Sequence, residues 1–247
     1  MTASDATLLS LYINASRRRG GKPLYRAAVE TAHARRAAGA SVFLVDLSYG
    51  AHQRLRDAKS EYLSVDIPVV VEVVDAPDRA DALAAELVAT GLDGLTTLEP
   101  VRIVHFERLE TDGAAGAVAE TVVPEPAGGH AMPLEGDVQK VTVYVGSSDT
   151  WHGRNLAAAI VERCRRAGMA GATASLGVMG FGRRSVIHRP HPFGLSEDVP
   201  EKVEVVDRPD RIAAILPALG EMVQDGLIVV QDVRAVRRGG RTAAAEG

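Results

Sequence analysis

Cysteine is nearly absent: among 247 residues only Cys164 carries a thiol. That excludes an intramolecular disulfide framework and any cysteine cluster at zinc-ligand spacing, and it fits a reducing compartment. Long apolar runs are also missing. No stretch approaches the roughly eighteen apolar residues of a membrane-spanning helix, and the N-terminus lacks the charged start, apolar core and cleavage site of a leader. The expectation is a cytoplasmic protein. A basic surplus is missing too, since 28 Lys and Arg face 32 Asp and Glu. Nucleic-acid affinity rests on phosphate contacts from a basic face, so no nucleic-acid partner is expected. What remains is 46% hydrophobic and 24% charged residues, enough for two modest cores.

The chain repeats itself. Shifted by 132 positions, residues 12–104 lie over 144–236 without a gap, and roughly a third of the positions are identical. Tyr12 falls on Tyr144, Gly21 on Gly153 and Gly50 on Gly182. "VEVVDAPDR" at 71–79 falls on "VEVVDRPDR" at 203–211, and "LSVDIP" at 63–68 on "LSEDVP" at 195–200. The expected organisation is a first domain over 1–106, a flexible Ala/Gly/Pro/Glu-rich linker over 107–137, a second domain over 138–238 and a disordered tail over 239–247.

In the second copy "VTVYV" at 141–145 alternates as a strand. Leu156, Ile160, Cys164 and Ala167 then recur at helical spacing, with Gly168 as a stop. "GATASLGVM" and "KVEVVD" follow as strands, and Asp207 and Pro209 open a second helix whose apolar stripe is Ile212, Ile215, Leu216, Leu219 and Met222. Pro217 predicts a kink or an irregular turn there. "GLIVVQDV" closes as the fourth strand. The order β-α-β-β-α-β is the ferredoxin-like arrangement, so the fold class is α+β with two tandem antiparallel sheets. Each sheet carries its helices on one face. The bare face would show Thr142, Tyr144 and either Val203 with Val205 or their polar neighbours, and it invites another subunit or domain.

Two loops concentrate the chemistry. In "GVMGFGRRSVIH" at 177–188, Gly177, Gly180 and Gly182 permit positive φ and close backbone approach beside Phe181, while Arg183 and Arg184 offer forked donors to an anion and His188 follows. The same stretch also reads as a plain turn or a partner-docking tip. Copy one has "DLSYGAHQRLR" at 46–56, without the arginine pair. In "SSDTWHGRN", Trp151, His152 and Arg154 precede a helix N-terminus, where backbone N–H groups attract anions. Asn155 or Asp149 could equally cap that helix and Trp151 pack on a neighbour. His152, His188 and His191 lack a carboxylate or cysteine at ligand spacing, so no metal site is expected. In "LSED" at 195–198, Ser196 and Asp198 before Pro200 read as turn chemistry.

The run "DTWHGRNLAAAIVERCRRAGMAGATASLGVMGFGRRSVIH", with "LSEDVPEKVEVVD" and "EMVQDGLIVVQDV", resembles domain of unknown function 190, a group of PII-like proteins. Copy one matches through "GKPL", "AGA" and its "VEVVD" strand. The resemblance implies ferredoxin-like domains assembled as a homotrimer whose sheets line a central core. It implies a small anionic ligand, commonly an adenine nucleotide, in clefts between subunits, and a membrane transporter or channel as partner. Family members are often encoded beside fluoride-channel genes, which brings in ion homeostasis. PII proteins carry basic residues after the second helix, whereas "QDGL" at 224–227 has none, which counts against a triphosphate. No cofactor is expected beyond such a ligand. No nucleophile–base pattern is visible and Cys164 lies on an apolar helix stripe, so an enzyme is not expected. The alternatives are an assembly protein without ligand or a divalent-cation-binding protein of the same fold.

Overall fold

Strict alternation along the first strand sets the architecture: Leu9, Leu11 and Ile13 turn to one side, and Leu8, Ser10 and Tyr12 to the other. The computed structural model describes residues 1–45, 47–49, 55–57, 68–89, 94–105, 135–182 and 198–236. Repeat one forms β1 (Thr2–Asn14), β2 (Arg18–Arg19), β3 (Lys22–Pro23), α1 (Leu24–Ala34), β4 (Ala40–Leu44), β5 (Leu47–Tyr49), β6 (Leu55–Asp57), β7 (Pro68–Asp75), α2 (Pro77–Ala89) and β8 (Leu95–His105). Repeat two forms β9 (Gly136–Gly146), β10 (Thr150–Trp151), β11 (Arg154–Asn155), α3 (Leu156–Arg166), β12 (Ala172–Phe181), β13 (Pro200–Asp207), α4 (Pro209–Met222) and β14 (Leu227–Ala235).

The long strands run β8-β1-β7-β4 in the first repeat and β14-β9-β13-β12 in the second, all antiparallel. Left apart, each sheet would expose two unpaired edges, which are sticky. Instead β4 pairs with β12 and β8 with β14, and the two sheets close one eight-stranded barrel. This corrects the expectation of two separate sheets, each with a bare face: the two bare faces look at each other across the interior. The register question is also answered. Val203 and Val205 pack under the helices, and Lys202 and Glu204 face inward.

Two helix-side cores lie outside the barrel. In the first, Leu24, Ala28, Val29 and Ala32 of α1 and Leu83, Ala84 and Leu87 of α2 cover Leu9, Leu11, Val71 and Val73. In the second, Leu156, Ile160 and Cys164 of α3 and Ile212, Ile215, Leu216 and Leu219 of α4 cover Val141, Val143, Val203 and Val205. Each core borrows from the other repeat. Met179 and Phe181 enter the first and Val104 enters the second, so neither repeat owns a complete interior.

The expected glycine tip is partly strand. β12 runs on through Phe181 because β4 continues the ladder there, pairing Phe181 with Ala40 and Gly180 with Ser41 past a bulge between Gly177 and Met179. None of Gly177, Gly180 and Gly182 has a positive φ. Close approach is what the first two serve: a Cβ on Gly180 would lie 2.6 Å from the Ala40 carbonyl oxygen, and one on Gly177 2.6 Å from Cγ of Pro200. Arg183, Arg184, His188, His191 and Ser196 lie outside the described residues, as do most of the expected linker and the tail. At the linker's expected end β9 already begins, at Gly136.

Helix α4 runs unbroken through Pro217 where a kink or irregular turn was expected. Pro217 and Ala213, whose carbonyl loses its donor, are both exposed, so the missing bond falls on the outer face of the helix. Asp207 does not cap α4, whose cap residue is Arg208 without a side-chain bond. Buried Asp207 instead accepts from Ala170 N–H at 2.9 Å and Arg208 N–H at 2.8 Å and pairs with Arg211 Nε at 3.3 Å. Arg211 in turn donates to the carbonyls of Ala167 and Gly168, clasping the end of α3. Repeat one repeats the clasp: Asp75 takes Arg79 Nε at 3.2 Å, and Arg79 donates to the carbonyls of Arg35 and Arg36. The shared Asp and Arg of the "VEVVD.PDR" motif are therefore accounted for by tying two helices together.

Candidate functional site

The inward faces of both sheets line an open cavity of about 550 Å³, within the size range of small-ligand sites. Repeat one contributes Ser10, Tyr12, Phe43, Val70, Glu72 and Glu99 to its wall, and repeat two Lys140, Ser175, Leu176, Lys202 and Glu204. Exposed Tyr12, Leu44 and Leu176 give its lining an apolar part. Three carboxylates face two ammonium groups, leaving one formal negative charge.

One side of this interior is tightly knit. The Lys202 ammonium lies 2.7 Å from Glu72 Oε1 and 4.6 Å from the centre of the Phe43 ring, an ion pair with a cation–π contact. The Tyr144 hydroxyl donates to Glu72 Oε2 at 2.9 Å. Burial, and then the neighbouring Glu72 carboxylate, push the Tyr144 phenol well above its usual range. Both partners of the ion pair are about a tenth exposed, at 12% and 11%, and they come from different repeats, so the cluster fastens the two halves. Glu204 is held more loosely, with Lys140 at 3.7 Å and Lys202 at 3.8 Å. Glu99 accepts from Gln231 Nε2 at 2.7 Å.

The second candidate loop is a small hairpin. β10 and β11 pair across His152 and Gly153, with φ values of 50° and 76°, and Gly20 and Gly21 do the same in repeat one at 55° and 81°. Positive φ at both central positions is the hairpin turn that follows strand twist. Trp151 packs partly against the second core, with its ring edge-on to His152 at 4.6 Å. Asn155 caps α3 by accepting from Ala158 N–H at 2.8 Å and donates to Glu201 at 2.9 Å. Arg154 is exposed beside them. Trp151, His152 and Arg154 are thus grouped on one hairpin, apart from the residues lining the cavity. Phe181 is buried, edge-on to His33 at 5.0 Å.

Sequence reasoning missed Glu72, Glu99, Lys140, Lys202 and Glu204. The signal was present in part: Lys202 and Glu204 alternate with Val203 and Val205, and Glu72 stands alone within a run of valines. Among the described residues no group of three His, Cys, Asp or Glu side chains is placed to hold a metal ion, and no helix is long and apolar enough to cross a membrane.

Fold and site together define an α+β protein of two repeated halves that share one antiparallel barrel and one charged interior. The chain belongs to the DUF190 family, described as Uncharacterized ACR, which matches residues 6–103 and again 138–235. A UPF0166 protein of Aquifex aeolicus strain VF5 is 32% identical over 99 residues, covering 40% of this chain and 93% of that protein. Another, from Methanocaldococcus jannaschii, is 33% identical over 91 residues, covering 36% of this chain and 83% of its own length. Those relatives have the length of a single repeat. A solved structure of an unknown protein from Galdieria sulphuraria aligns over 93% of this chain and 99% of its own at 12% identity, with a TM-score of 0.27.

Proposed function

We propose that this protein is a PII-like regulatory protein that holds one small polar ligand inside its barrel and passes that occupancy to a membrane transporter or channel. The observation that carries the reading is the composite cavity, with walls drawn from both repeats. PII-like proteins bind between subunits; here two repeats of one chain supply both walls. The fourth–first–third–second strand order of each half supports ferredoxin-like repeats. The reading is one of binding without catalysis. Burial pushes the Cys164 thiol up to about 11, which suits a packing residue rather than a nucleophile. The homotrimer that the resemblance implies would need surfaces other than the inward sheet faces, and particle mass decides it.

An adenine nucleotide fits this interior poorly, because its carboxylates outnumber its ammonium groups and would repel a polyphosphate. An anion belongs instead to the loop bearing Arg183 and Arg184. The test is calorimetry and thermal shift on the full chain with adenine nucleotides, bicarbonate, fluoride, divalent cations and small amines, repeated on Val70→Trp and Arg183→Ala. A ligand response lost in Val70→Trp, which obstructs the cavity, is the expected result. A response lost only in Arg183→Ala moves the site to the loop and overturns the interior reading. Tight assembly with no response to any ligand supports a scaffold.

A further inference from the structure

The repeat supplies an internal template for what the cavity accepts. Under the 132-residue shift, Tyr144, Glu72, Lys202 and Phe43 of the filled cluster correspond to Tyr12, Glu204, Val70 and Ser175. All four of these counterparts line the cavity. The register confirms the equivalence: Phe43 lies opposite Val70 on β4 and β7, and Ser175 opposite Lys202 on β12 and β13. The cavity is therefore the matching position where one repeat has valine in place of lysine and the other has serine in place of phenylalanine.

The chemistry left at that position is one-sided. Glu72 receives the Lys202 ammonium at 2.7 Å and the Tyr144 hydroxyl at 2.9 Å. Its counterpart Glu204 has only the two lysines at 3.7 and 3.8 Å, beyond good hydrogen-bond distance. Tyr12 is 44% exposed, and among the described residues its hydroxyl makes no bond like that of Tyr144. Ser175 adds a hydroxyl where the other cluster has a ring. Val70, Leu44 and Leu176 offer an apolar track beside them.

We infer that the cavity binds a primary alkylammonium group, which takes the place at Glu204 that the Lys202 side chain occupies at Glu72. Its aliphatic stem runs along Val70 and Leu176, and its charge offsets the net negative charge of the wall. The inference rests on the reading that the interior is the ligand site.

The test uses the full chain and n-butylammonium, which is the lysine side chain cut at Cβ, with butanoate and 1-butanol as matched anionic and neutral probes. Amide chemical shifts at Val70, Ser175 and Glu204 follow each titration. Saturable shifts with n-butylammonium are expected, at least about tenfold tighter than with either other probe. Glu204→Gln should weaken the ammonium about tenfold, and Val70→Lys, which installs the cluster's own ammonium, should abolish its binding. Equal affinity for all three probes, or an unchanged affinity in Glu204→Gln, overturns the inference. If butanoate binds best and Val70→Trp, whose ring takes up the apolar track, blocks it, the interior site stands and the ammonium assignment falls. If no probe responds to Val70→Trp, both fall. Circular dichroism of each variant confirms that it has folded.

Discussion

Replacing Lys202 by methionine keeps the length of the side chain and removes its charge from the cluster that joins the repeats. Glu72 then keeps the Tyr144 hydroxyl and loses its ion-pair partner at 2.7 Å. Breaking a buried pair on one side typically costs about 3–5 kcal/mol. Both side chains border a cavity and are about a tenth exposed, so the lower end applies, and about 3 kcal/mol includes the lost contact with the Phe43 ring. For a chain of this size that lowers the melting temperature by roughly 6–12 °C. Removing both charges, in Glu72→Gln with Lys202→Met, should regain much of the loss, because position 72 no longer holds a buried carboxylate that has lost its partner. Urea unfolding at pH 7, followed by circular dichroism and by the fluorescence of Trp151, supplies the four corners of the cycle. A single-mutant loss below about 1 kcal/mol, or a double mutant equal to the sum of the singles, refutes the claim that this pair fastens the barrel.

Three further outcomes follow from the same geometry. The folded protein holds the Tyr144 proton to higher pH than the unfolded chain does, so this contribution is complete below about pH 10 and is lost as pH rises through the folded value. Tyr144→Phe should therefore flatten the alkaline loss of stability, while costing about 1.5–3 kcal/mol at pH 7 for the bond to Glu72; unfolding curves from pH 7 to 12 measure both. Gly180→Ala puts a methyl 2.6 Å from the Ala40 carbonyl oxygen, so it should lower stability by about 1–3 kcal/mol and speed hydrogen exchange along the β4–β12 seam; wild-type exchange there would count against a tight seam. Asp207→Ala should cost about 2–3 kcal/mol and Asp75→Ala about 1, because Asp207 is the more buried and also takes Ala170 N–H; calorimetric melts in which Asp75→Ala costs more would reverse that ordering.

The repeat, its strand and helix order and the helix-side cores were legible because period-two and period-3.6 patterns act within a few residues of one another. Leu156, Ile160 and Cys164, or Ile212, Ile215 and Leu219, need no distant partner to be recognised as one face. Closure was not legible. Whether β12 stops at Met179 or runs on to Phe181 depends on Ala40 and Ser41 in the other repeat. Gly177 and Gly180, which suggest a flexible tip when taken alone, are needed where two backbones and Pro200 crowd together.

The interior site was hidden for a related reason. Val70 against Lys202 and Phe43 against Ser175 look like ordinary drift between diverged copies when the repeats are laid side by side. Each exchange alone changes one wall of a sheet that, in an isolated repeat, faces outward. Only when the sheets close on each other do the two exchanges meet: both fall at the same place, opposite Glu204 and beside Tyr12, while the unexchanged residues Lys202 and Phe43 fill the matching place. A single repeat assembled with an identical copy would carry two equal sites or none. Duplication lets one place become the fastening while the other stays open, so the asymmetry between the copies is what leaves a cavity in the wall. Matching the two places at these positions with Val70→Lys and Ser175→Phe together should therefore yield a protein at least as stable as the wild type that no longer takes up n-butylammonium. A double variant that is destabilised yet still binds would show that the two places are not equivalent.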